Sequence, residues 1–110
     1  MDKSNALAAL AALAQEHRLK IYRSLVQASP DGMAAGNIAT AVGIAHNTLS
    51  FHLDRLRDAG LIKPVRNGRS VIYTAQHGTM RDLLGYLADN CVPVRGTNPP
   101  TRPKPRAKKG

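Results

Sequence analysis

The sequence has one cysteine, three tyrosines, one phenylalanine and no tryptophan in 110 residues. A single cysteine excludes an intrachain disulfide and fits a reducing cytoplasm. There is no run of 18 apolar residues, so we expect neither a transmembrane helix nor a membrane partner. There is also no nucleophile–base pair, carboxylate pair or phosphate-cradling glycine loop, so we expect neither an enzyme nor a cofactor.

Acidic residues are missing from the end of the chain. The whole chain carries 16 Lys and Arg against seven Asp and Glu, a net charge of +9, but residues 95–110 hold six of the basic residues, four prolines and no acid. The composition predicts one folded domain over residues 1–94 and a disordered basic tail over residues 95–110. Two interpretations of the tail are open, a solubilising segment or a cationic arm that attracts DNA phosphates of any sequence.

The middle of the chain has the spacing of a helix-turn-helix. Apolar side chains recur at helical intervals on both helices: Ile38, Val42, Leu49, Leu53 and Leu56. Ala39 is small enough for the second helix to cross closely, and Gly43 follows where the chain must turn with a positive φ. The alternative is an ordinary pair of amphipathic helices, which the basic charge and the following hairpin disfavour.

The outer face of the second helix offers short polar side chains, which suit a DNA major groove. The candidate DNA-contacting residues of this helix are His46, Asn47, Thr48, Ser50, Phe51 and Arg55. We expect Asn47 and Ser50 to read base edges, and His46 and Thr48 to contact phosphates. Two roles are open for Phe51, either apolar contact with a thymine methyl group or packing under the hairpin.

A β-hairpin is predicted over residues 65–73, where Asn67-Gly68 separates two β-prone runs. Asn-Gly favours the two positive φ angles of a type I′ turn. Arg66 and Arg69 flank this turn, so we expect Arg66, Asn67 and Arg69 to contact DNA, the arginines at phosphates or in the minor groove. The alternative is a solvated hairpin tip.

Helices are also predicted on both sides of this module. The first 28 residues have a helical pattern, with a second helix over residues 16–28, and a last helix is predicted over residues 77–91. Seven residues of the outer helices are assigned to a homodimer interface: Leu7, Leu10, Leu13, Met80, Leu83, Leu84 and Leu87. The alternative is packing within one subunit. The fold prediction is mainly α with a small β-hairpin wing, a homodimeric winged helix-turn-helix of order α-α-α-α-β-β-α.

With these elements in place, residues 5–92 resemble the ArsR/SmtB family of bacterial repressors. Residues 50–62 are similar to the family pattern Ser-x-His-Leu-x-x-Leu-x-x-Ala-Gly-Leu-Val, and residues 13–21 to its Leu-x-x-x-x-Arg-Leu-x-Ile segment. The resemblance implies a cytoplasmic, nucleoid-associated homodimer that represses transcription from double-stranded DNA and dissociates when an inducer binds. A second hypothesis keeps the fold but removes the switch, leaving a constitutive or architectural DNA-binding protein.

The family's sensing sites are only partly present. The Cys-x-Cys pair that many members carry has no counterpart in residues 32–36, and the potential ligands of residues 77–91 are wrongly spaced for zinc, so we expect no metal site. Residues 86–92 match the arsenite-responsive pattern Tyr-Leu-x-Glu-Asn-Cys-Cys, except that Val92 replaces the second cysteine. Three interpretations of Cys91 are open: an arsenic ligand that acts together with the same cysteine of the other subunit, a lone thiol sensor, or a small packing residue. The inducer is then a redox signal or an unidentified small molecule.

Overall fold

The computed structural model describes residues 1–93, which form five helices and one three-stranded antiparallel sheet. In chain order the elements are α1 (Lys3–Leu13), α2 (Glu16–Gln27), β1 (Met33–Ala34), α3 (Ala35–Val42), α4 (His46–Asp58), β2 (Ile62–Asn67), β3 (Ser70–Ala75) and α5 (His77–Cys91). The predicted fold class is confirmed. The predicted tail over residues 95–110 lies outside the described residues. Within residues 1–93 no helix is long and apolar enough to span a membrane.

Helix boundaries follow the local sequence closely. Asp2 begins α1, because its carboxylate accepts a hydrogen bond from the backbone N–H of Asn5 at 2.8 Å. α2 ends at Gln27, one residue before the predicted Ala28, and α5 has the predicted bounds His77–Cys91. The predicted helices are therefore confirmed to within one residue at these ends.

The helix-turn-helix is built from α3 and α4, which pack on α2. The buried side chains of this pair are Ile38, Ala39, Leu49, His52, Leu53 and Leu56. Gly43 ends α3 with a φ of 79°, as the turn prediction requires. At the end of α4 the Leu61 N–H donates to the Leu56 carbonyl at 3.0 Å, and the Gly60 N–H donates to the Arg57 carbonyl at 2.9 Å. This pair of bonds directs the chain out of the helix and into the wing.

The sheet contains a strand that the sequence pattern did not predict. β1 pairs with β3, with Met33 opposite Tyr73 and Ala34 opposite Ile72, and the strand order is β1–β3–β2. Two residues are too short to produce a recognisable alternation of apolar and polar positions. The strand joins the start of α3 to the wing.

The wing turn lies one residue later than predicted. β2 continues through Asn67, which pairs with Ser70, so that Gly68 and Arg69 form the two-residue turn. The prediction of Asn67-Gly68 as the central pair was wrong. Gly68 has a φ of 64°, and a glycine at the first central position satisfies a tight hairpin turn by itself, as in the Gly-x pattern of type II′. Arg69 therefore lies in the turn, at the very tip of the wing.

The first helix has two chemically different faces. Ala6, Ala9 and Ala12 are buried against the rest of the subunit, whereas Leu7 is 58% exposed and Leu10 is 38% exposed. Alanines on the inner face let α1 approach α2, α4 and α5 closely. The leucines are consequently left on the outside.

The last helix divides its leucines in a similar way. Leu84 is 57% exposed, and Met80 and Leu87 are half-buried. Leu83, by contrast, is only 2% exposed and belongs to the core of the subunit. Its assignment to the dimer interface therefore needs correction, because its surface is already covered by its own chain.

Candidate nucleic-acid interface

The first two turns of α4 form an exposed polar surface. His46, Asn47, Thr48 and Ser50 are all exposed. The residue before the helix, Ala45, has no side chain that can cap the backbone N–H groups of the first turn. A helix N-terminus without an N-cap side chain, with its positive dipole end, is suited to a phosphate.

Two of these side chains already make hydrogen bonds within α4. The Asn47 amide oxygen accepts from the Thr48 N–H at 2.9 Å, and the Ser50 hydroxyl donates to the His46 carbonyl at 3.2 Å. The Asn47 amide therefore keeps its NH₂ group as a donor, whereas the Ser50 oxygen keeps its acceptor capacity. In a major groove these groups match base acceptors and base amino groups, respectively.

Phe51 extends from α4 beside α1. Its side chain is 52% exposed, and the Arg55 guanidinium carbon lies 4.8 Å from the ring centre. The ring borders a groove shared with Ala8 and Ala11 of α1. Since this groove contains no wing residue, its geometry gives no support to packing of Phe51 under the wing, and the thymine contact remains a prediction.

A buried histidine connects α4 to the other helices. His52 is 6% exposed, and its Nδ1 lies 3.2 Å from Nη1 of Arg18. A guanidinium can only donate, so Nδ1 is the acceptor and the imidazole is neutral. Arg18 also donates through Nε to the Ala12 carbonyl at 2.6 Å. His52 is therefore a packing and hydrogen-bonding residue inside the subunit.

Sequence reasoning gave Arg18 no role, although its position in the Leu-x-x-x-x-Arg-Leu-x-Ile segment was a usable signal. Its guanidinium joins the end of α1 to α4 through Ala12 and His52. Burial lowers the pKa of His52 below its ordinary value of 6.5, and the positive charges of Arg18 and His17 lower it further.

This lowered pKa predicts an acid-sensitive junction. The unfolded chain binds a proton at His52 more readily than the folded chain does. The contribution of His52 to the free energy of unfolding is therefore complete above pH 6.5. It is lost as the pH falls from 6.5 towards the lower pKa of His52 in the folded chain. Urea midpoints measured at about pH 7.5 and about pH 5.5 should differ less in His52→Gln than in the wild type. His46→Gln is the exposed control, and an equal pH dependence in both variants would contradict the assignment.

The remaining predicted site residues lie on the surface. Arg66, Asn67 and Arg69 are exposed, with the two arginines near the wing tip. Cys91 is exposed at the end of α5, so it is not part of the core of the subunit. Across residues 1–93 no three His, Cys, Asp or Glu side chains group closely enough to hold a metal ion.

An exposed polar helix behind a tight turn, followed by a basic two-stranded wing, defines a winged-helix DNA-binding protein. Residues 13–65 match the family model for a helix-turn-helix domain. The chain is 34% identical over 88 residues to the nodulation protein NolR of Rhizobium meliloti, a match that spans 80% of this chain and 70% of NolR. It is 30% identical over 88 residues to the HTH-type transcriptional regulator YgaV of Escherichia coli (strain K12), spanning 80% and 87% of the two chains.

A solved structure agrees with these relatives. The homodimeric winged helix-turn-helix DNA-binding domain of a possible ArsR-family regulator from Mycobacterium bovis superposes with a TM-score of 0.64 at 28% identity, covering 81% of this chain and 82% of that one. The chain therefore belongs to the ArsR/SmtB family and is a DNA-binding transcriptional regulator.

Proposed function

We propose that this regulator is a repressor that binds a palindromic operator as a homodimer. The observation that carries the proposal is the exposed polar start of α4 on a subunit whose α1 and α5 leave leucines uncovered. A two-fold dimer presents two copies of α4 about one helical turn of DNA apart, which matches two half-sites.

The dimer surface is an apolar face on two helices that contact each other. This α1–α5 apolar face consists of Leu7, Leu10, Leu13, Met80, Leu84 and Leu87. Exposed apolar patches of this kind mark association surfaces, and one that pairs with itself gives a closed dimer. The homodimeric state of the Mycobacterium bovis domain supports the same arrangement.

The DNA contacts divide between α4 and the wing. Asn47 donates to a base edge and Ser50 accepts from a base amino group, as their free hydrogen-bonding capacity allows. His46 and Thr48 contact phosphates at the exposed start of the helix. Phe51 touches a thymine methyl group beside Arg55, and the wing residues Arg66, Asn67 and Arg69 hold the flanking backbone.

Single substitutions separate base reading from phosphate contact. Arg69→Ala should lower operator affinity about fivefold to tenfold, because one phosphate contact is lost. The slope of log affinity against log salt concentration should become shallower by about one for the same reason. Ser50→Ala should cost about tenfold and relax the preference at one base pair. Both variants should remain dimeric in light scattering, and Arg81→Ala on α5 is the matched control. Unchanged binding in both variants would refute the placement of α4 and the wing on DNA.

The function itself is tested by fluorescence anisotropy with DNA from upstream of the protein's own gene. Steep discrimination between this fragment and random DNA at near-physiological salt supports a repressor. Weak discrimination that disappears with added salt supports the architectural alternative instead. Parallel titrations with reduced, peroxide-treated and arsenite-treated protein test whether Cys91 is a sensor. If operator binding is lost only after one of these treatments, the sensor is Cys91.

A further inference from the structure

A groove of about 390 Å³ lies between α1 and α4. The α1 wall is made of the methyl groups of Ala8, Ala11 and Ala12, and Ala59, which follows α4, adds a further apolar side chain to the lining. Phe51 presents its ring to the same space. The volume falls in the range of small-molecule sites, and an apolar lining with a few polar groups is typical of them.

The charged side chains of the groove favour an anion. Arg18 and Arg55 both line it, and within residues 1–93 neither has a carboxylate at salt-bridge distance. The one acidic residue of the lining, Asp58, lies 3.6 Å from Arg57 outside the groove. The groove is therefore apolar on its walls and positive in balance.

The aromatic side chain adds a preference for a flat ligand. The Arg55 guanidinium already lies over the Phe51 ring at 4.8 Å, so a ring and a cation are presented together. A ligand ring can stack on Phe51 while its carboxylate pairs with Arg55 and with the unused N–H groups of Arg18.

We propose that the α1–α4 groove binds a small aromatic carboxylate, and that the bound ligand lowers the affinity for the operator. The second part rests on the proposed function, because Phe51 and Arg55 are also candidate DNA contacts. A ligand that occupies these two side chains competes with DNA, and by linkage DNA weakens the ligand to the same extent. Small aromatic carboxylates are then the class of inducer that releases this regulator from its operator.

Direct binding is measured first, on the full chain without DNA, with naphthoate as the probe. The chain has no tryptophan, so naphthoate fluorescence is observed without an indole background. We expect saturable binding with a dissociation constant on the order of 1 mM or lower. Arg55→Gln should weaken binding about tenfold, and so should replacing naphthoate with the neutral naphthamide, because either change removes a charge-assisted hydrogen bond.

The control variants distinguish the groove from the rest of a basic protein. Ala11→Leu fills the groove from α1 and should abolish binding, whereas Ala41→Leu at an exposed position of α3 and Arg81→Gln on α5 should leave it unchanged. Binding that survives Ala11→Leu would mean non-specific attraction to the positive chain and would overturn the proposal, as would no binding at all.

Operator titrations with and without naphthoate distinguish failure of the ligand site from failure of the proposed repressor function. Naphthoate at saturation should lower operator affinity at least about tenfold in the wild type and leave Ala11→Leu unaffected. Operator binding without naphthoate binding would overturn the ligand site and leave the repressor proposal intact. Naphthoate binding by a protein that does not bind operator DNA would support the ligand site and refute the proposed repressor function. Naphthoate binding with no change in operator affinity would overturn the inducer part.

Discussion

Leu84→Asp is expected to produce a monomer that binds operator DNA at least about 100-fold more weakly than the wild type. Leu84 is 57% exposed on the α1–α5 apolar face, and a carboxylate there would be buried without a partner on dimerisation. Two linked half-sites bind far more tightly than one, so loss of the dimer removes the gain from simultaneous contact. Light scattering measures the dimer, and anisotropy measures the DNA affinity.

The matched control is the same substitution at another exposed leucine. Leu19 is 45% exposed on α2, outside the α1–α5 apolar face, so Leu19→Asp should remain dimeric and bind DNA nearly as well as the wild type. A dimeric Leu84→Asp, or equal dissociation of both variants, would place the interface elsewhere.

Gly32→Ala is expected to lower the free energy of unfolding by roughly 3 kcal/mol, the sum of a left-handed backbone penalty and local overpacking. Gly32 has a φ of 79°, and a Cβ there would lie 2.5 Å from the Tyr73 carbonyl oxygen. It would also lie 2.8 Å from the side chains of Ile72 and Thr74. The central strand β3 would have to move, so the cost should appear in urea unfolding at a fixed protein concentration.

Gly36→Ala provides the opposite case. Gly36 lies in α3, and an added Cβ would meet no atom within 4 Å beyond its chain neighbours and the nearby backbone of its own helix. Alanine favours a helix over glycine, so this variant should gain about 0.5–1 kcal/mol. A free energy of unfolding for Gly32→Ala within about 1 kcal/mol of the wild-type value would contradict the close approach of residue 32 to β3.

Much of the fold could be predicted because its signals are local. The stripe of Leu49, Leu53 and Leu56 defined α4, and all three leucines are buried. The wing was also recognised, but its turn was placed one residue early because Asn67-Gly68 and Gly68-Arg69 are both acceptable central pairs. Pairing of Asn67 with Ser70 settles the choice, and that pairing depends on the register of the whole hairpin.

The candidate site was predicted unevenly for a related reason. His46, Asn47, Thr48 and Ser50 were placed on an exposed face by helical spacing alone, and they are exposed. The contact between Arg18 and His52 was missed because it joins residues 34 positions apart. Spacing along one helix carries no information about such a contact.

The sequence by itself determined the order of the helices, the DNA-binding class and the residues that share each helical face. For α1 and α5, only the tertiary structure decided which side chains are inside. On α1 Ala6, Ala9 and Ala12 face the core and Leu7 faces outward, and on α5 Leu83 is buried while Leu84 is exposed. The physical reason is that periodicity shows which side chains lie together, whereas the space between packed helices determines which of them fit inside.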